Sequence, residues 1–138
     1  MTAFSQKGVH GSSVVVRCNE AGVWELAVTE TDEVGPEWTT GDTEAKPKLI
    51  GKGDHLALVY NGYTREMVLY VNGELRTAIE LVSPFVATGE VQVGRAFLDD
   101  SFQEHLSGAV DDVRVYDGIA DPVLIQRLNV QTEEKLAL

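Results

Sequence analysis

Two adjacent carboxylates, Asp111 and Asp112, open an apolar stretch in SGAVDDVRVYDG, Ser107 to Gly118. Strand alternation places Asp111, Val113 and Val115 on one face and Asp112, Arg114 and Tyr116 on the other. The pattern aims Asp111 inward with the valines and Asp112 outward, as a solvated partner for a nearby cation. An inward carboxylate either accepts hydrogen bonds from loop backbone N–H groups or ligates a metal.

The other reactive side chains assemble into little. His10, His55 and His105 are scattered without the spacing of a zinc site. Cys18 stands alone in SVVVRC, so it forms no internal disulfide and reads as a small buried hydrophobe. Ser13 and Ser107 have no adjacent base. GKGD follows a strand but lacks the downstream helix of a phosphate loop. Asp99 and Asp100, in FLDDSFQE, suit either a solvated loop or assistance to a ligand or cation.

The elements that must position these residues are mostly strands. SVVVRC and VWELAVTE are joined by the turn NEAG, and Trp24, Leu26 and Val28 share a core-facing side. From Thr31 to Asp54 the pattern dissolves into a long loop, with one short strand expected at KPKLIG. HLALVYN, MVLYV and ELRTAIE follow, and Asn72-Gly73 supplies a type I′ turn. MVLYV is apolar on both faces and calls for a sheet covered on both sides. Tyr60 shares a face with Leu56 and Leu58 and is expected in the core. GEVQVGRA and the Asp111 stretch complete the strands. One helix starts in IADPVLIQRLNV, with Asp121 as N-cap and Pro122 in the first turn.

The expected fold is all-β: a two-sheet antiparallel jelly-roll sandwich with one short C-terminal helix. Residues 1–130 make one domain and residues 131–138 a tail or linker. The net charge of −11 repels phosphate backbones and no basic cluster offsets it, so nucleic acid is not an expected partner. No run of eighteen apolar residues is present for membrane insertion. MTAFSQKGVHGSS lacks the apolar core of a signal peptide, so any export signal is expected upstream.

HLALVYNGYTREMVLYVNGEL, VGRAF and SGAVDDVRVYDGIADPVLIQRL, in that order, resemble the laminin-G-like branch of the concanavalin A-like jelly rolls. Upstream, FSQKGVHGSSVVVRCNEAGVWELAV is similar to the family's early hairpin. The resemblance covers Phe4 to Leu128 and implies a further apolar strand ahead of Phe4. A neighbouring copy, a partner chain or the C-terminal tail would fill the open sheet edge. The position matching Asp111 ligates a structural calcium in related laminarinase-type hydrolases, so the resemblance offers calcium as a cofactor beside the hydrogen-bonding role.

Those hydrolases carry Glu-x-Asp-x-x-Glu on one strand. Here ETDEVG supplies Glu30 and Asp32, but Gly35 stands where the second catalytic Glu belongs. A retaining glycosidase needs two carboxyls about 5.5 Å apart flanking the bond, and the motif is incomplete. The expectation is therefore no enzyme activity. The resemblance implies instead an extracellular or cell-surface binding module of a larger protein, recognising carbohydrate or glycoconjugate. Trp38 in the long loop and Tyr63 in a turn are the candidate ligand-binding aromatics. The alternative is a structural module that mediates protein–protein association or forms a homo-oligomer.

Overall fold

The computed structural model describes residues 1–48, 53–81, 85, 87–116 and 118–136. Its elements in chain order are β1 (Thr2–Lys7), β2 (Ser12–Cys18), β3 (Trp24–Val28), β4 (Thr39–Asp42), β5 (Leu56–Asn61), β6 (Glu66–Val71), β7 (Glu74–Glu80), β8 (Val91–Val93), β9 (Ala96–Leu98), β10 (Ser101–Gln103) and α1 (Pro122–Leu136). They form a five-stranded sheet in the order β4-β3-β2-β1-β8, a three-stranded sheet β5-β6-β7 and a two-stranded hairpin β9-β10.

Alternation decides what each sheet buries. Val14 and Val16 of β2 pair with Val28 and Leu26 of β3, and all four face inward. Leu69 and Val71 of β6, Ile79 of β7 and Leu81 just beyond it meet them from the other sheet, with Trp24 closing one side. That shared core makes the molecule an antiparallel β-sandwich. Cys18 packs half-buried at its margin. The opposite face of β6 is covered as MVLYV required: Val68 and Tyr70 pack under Ile125 of α1, with Ala57, Val59 and Ala120 beside them. Asp121 caps α1, its Oδ1 accepting the Leu124 N–H at 2.8 Å, with Pro122 in the first turn.

The Asn72-Gly73 turn forms as expected, with φ of 53° and 81°. Gly41 brings the sheets together on one side, because a Cβ there would collide with the Thr77 hydroxyl of β7.

The structure departs from the sequence expectations at several places. The long loop carries β4; of the expected KPKLIG strand, Lys46–Lys48 are in no strand and residues 49–51 lie outside the described residues. The solvated loop expected at Asp99 and Asp100 is the exposed turn of hairpin β9-β10, both residues at positive φ. Tyr60 is 42% exposed, because the end of β5 runs past the packed part of the core. Residues 109–116 join no sheet among the described residues. Asp111 is consequently exposed rather than inward-facing. Asp112 is the more sheltered of the pair, held by Arg114 Nε at 2.9 Å.

Candidate functional site

The outer face of the five-stranded sheet gathers the polar and aromatic groups. Arg17 pairs with Glu25 across β2 and β3, on the same face as Val15 and Ala27. Val15, Ala27 and Ala96 form a fully buried apolar floor on which Trp38 and Leu98 pack. The Arg17 guanidinium stands 5.9 Å from the Trp38 ring centroid, at cation–π range. Arg17 Nε donates to Glu25 Oε1 at 3.1 Å, and its Nη1 reaches Glu104 at 3.4 Å. Asn19 Nδ2 donates to the second Glu25 oxygen at 2.9 Å.

Beside Trp38 lies a cleft of about 120 Å³ with Glu33, Gly35, Asp99 and Gln103 in its walls. Past Arg17 the surface opens into a groove of about 590 Å³, bounded by Asn19, Glu25 and Glu104. Trp38 thus stands half-buried between the apolar floor and this cleft, with carboxylates, an amide and a guanidinium around it.

The walls are fixed by hydrogen bonds between distant segments. Asp32 Oδ1 accepts the N–H groups of His10 at 2.7 Å and Gly11 at 3.2 Å, while Oδ2 accepts that of Val9 at 2.7 Å. Burial alone would raise the Asp32 pKa. The three N–H donors and the nearby His10 outweigh it and hold the group below the usual carboxylate range. Gly35 donates its N–H to Asp99 Oδ1 at 2.7 Å. Asp100 meets His10 twice, through its N–H to the His10 carbonyl and through Oδ1 at 2.9 Å from Nδ1.

Of the residues singled out from sequence, the structure brings Trp38 and Asp99 into one cleft. Tyr63 is not there: it stands 93% exposed in the turn between β5 and β6 and lines neither depression. Glu33, Gln103 and Arg17 were not identified as site residues. Gln103 reaches the cleft only because Phe102 pairs with Phe97 across the hairpin. No local pattern announces that.

Asp111 accepts the N–H of its neighbour Asp112 at 2.8 Å. Among the described residues no group of three His, Cys, Asp or Glu side chains converges there or elsewhere. A calcium ion takes about six to eight oxygens, drawn from backbone carbonyls as well as carboxylates. His55 joins the β6–β7 turn through its backbone, its N–H donating to Asn72 Oδ1 at 2.9 Å. Burial lowers the imidazole pKa, with Asp112 opposing and Arg114 adding to the shift.

Two facing antiparallel sheets with a helix on the outer side of one define the class, a lectin-type β-sandwich. The chain belongs to the concanavalin A-like lectin/glucanases superfamily, whose laminin-G-type model matches residues 1–122. Among solved structures it is similar to the S-layer domain-containing protein from Clostridium thermocellum, with a TM-score of 0.52 and 21% identity. The match covers 88% of this chain but only 58% of that one, a likeness of fold. A search of the curated proteins finds no match.

Proposed function

We propose that the chain is a non-catalytic, carbohydrate-binding module of a larger extracellular or cell-surface protein, with the sugar lying against Trp38. The cleft beside that ring carries the reading. A sugar offers an apolar C–H face and a rim of hydroxyls, which suit an aromatic plane flanked by Asp99, Gln103 and Glu33. The groove past Arg17 extends the same surface and would accommodate further residues of an oligosaccharide. Membership of a lectin/glucanase superfamily supports the class of ligand, and the likeness to an S-layer domain-containing protein supports a surface setting.

The non-catalytic reading rests on the carboxylates. Both oxygens of Asp32 are engaged by backbone N–H groups, and Gly35 occupies the place of the second acid. A glycan array with the wild-type protein, Trp38→Ala and Gln103→Ala tests the proposal. The expected result is a restricted set of glycans bound by the wild type. Affinity should fall about tenfold or more in Trp38→Ala and less in Gln103→Ala, which leaves the apolar floor intact. Absence of glycan binding, or binding indifferent to both changes, would overturn it.

A further inference from the structure

The carboxylates around Trp38 decide which groups of a ligand can face them. Glu33 and Asp99 stand in the walls of the cleft beside the ring, and Glu20, Glu25 and Glu104 border the groove past Arg17. Ionised carboxylates accept hydrogen bonds and donate none, so their partners are hydroxyl, amide or ammonium groups. A carboxylate or sulfate on the ligand would instead meet like charge, and the net charge of −11 on the chain adds to the repulsion.

Arg17 is the group that could have reversed this. Its guanidinium is a planar fork suited to carboxylate or sulfate, and it stands 5.9 Å from the Trp38 ring centroid. The chain fills that fork itself. Nε donates to Glu25 Oε1 at 3.1 Å, Nη1 reaches both Glu104 oxygens at 3.4 Å, and the Arg17 side chain is only 20% exposed. The β2–β3 register sets Glu25 opposite Arg17. Glu104 follows β10, where its backbone turns at a φ of 53° and its carbonyl accepts the Thr2 N–H of β1 at 2.7 Å. Two carboxylates on one guanidinium leave the cluster net negative. Met1, which also borders the groove, directs its amino group to the Cys18 carbonyl at 3.3 Å.

We propose, resting on the carbohydrate reading, that the Trp38 surface selects glycans free of carboxylate and sulfate groups, with Glu25 and Glu104 setting that preference by occupying Arg17. Such a glycan turns its hydroxyl donors to the carboxylates and its C–H face to the ring. An acidic sugar would have to displace a glutamate from Arg17 or face Glu33 and Asp99 across the cleft.

Matched pairs of oligosaccharides test it, each uronate-bearing glycan against its carboxyl-reduced form and each sulfated glycan against its desulfated form, titrated at low and high salt. At low salt the wild type should bind the uncharged member at least about tenfold more tightly. Added salt should narrow the gap by screening the repulsion. The double change Glu25→Gln, Glu104→Gln releases the guanidinium and removes two charges. The within-pair ratio should then fall severalfold or reverse, whatever happens to absolute affinity. Should the double variant fail to fold by circular dichroism, Glu104→Gln alone frees one arm of the fork and should lower the ratio in the same direction. Equal binding of both members by the wild type, or tighter binding of the acidic one, overturns the selectivity and leaves the carbohydrate reading standing. A ratio unmoved in the folded variant also overturns it, because Arg17 and its glutamates would then play no part. Binding of no glycan, acidic or neutral, overturns the carbohydrate reading and the selectivity with it.

Discussion

Asp32 clamps the loop of residues 9–11 through three backbone N–H groups, so its charge is structural. Hydrogen bonds to a charged acceptor are stronger than neutral ones, and Asp32→Ala is expected to cost about 1–3 kcal/mol of stability. The sign with pH follows from linkage. The folded pKa lies below the unfolded value of about 3.9, so the stabilisation is complete above that value and is lost as pH falls through the folded pKa. Thermal melts of wild type and Asp32→Ala should therefore differ at neutral pH and converge in acid. A gap that persists unchanged at low pH would show that Asp32 acts by packing. Gly8 belongs to the same arrangement, since a Cβ there would stand 2.7 Å from the Asp32 carboxylate.

Element contacts depend on residues chosen for size as well as for polarity. Gly41 lets β4 come against β7, and any side chain there meets Thr77. Gly41→Ala is expected to cost about 1–3 kcal/mol through overpacking, read as a lower urea midpoint with unchanged m-value. Replacing Thr77 by Ala in the same chain should restore part of the loss, because the colliding atom is in its side chain. No recovery would mean that backbone, not side-chain contact, sets the sheet separation. Alternation read the elements well where both faces met partners, as in β6, whose Leu69 and Val68 face opposite layers. It failed at Tyr60, because a period of two tells which face a residue occupies but not how far the core extends.

For the whole molecule, calcium is the condition most worth varying. Asp111 is exposed, and no three His, Cys, Asp or Glu side chains converge on it among the described residues, so adding calcium after EGTA is expected to leave Tm unchanged and Asp111→Ala to be nearly neutral. A calcium-dependent rise in Tm that disappears in Asp111→Ala would instead establish a cation site there. The acidic charge should also make any self-association stronger in salt, whereas sugar binding at Trp38 should depend on it little.

The sequence by itself determined the sandwich, the strands β2, β3, β5, β6 and β7, the Asn72-Gly73 turn and the capped helix. Each is written in local periodicity or turn chemistry that needs no distant partner. It also singled out Trp38 and Asp99, though as separate residues. Tertiary structure alone decided that they share a cleft, that Arg17 links that cleft to a second groove, and that Asp32 serves as a clamp. It also decided that residues 110–116 join no sheet among the described residues, with Asp111 exposed. Those outcomes depend on which segments meet across long sequence separations, and local alternation fixes a strand's faces without fixing its neighbour.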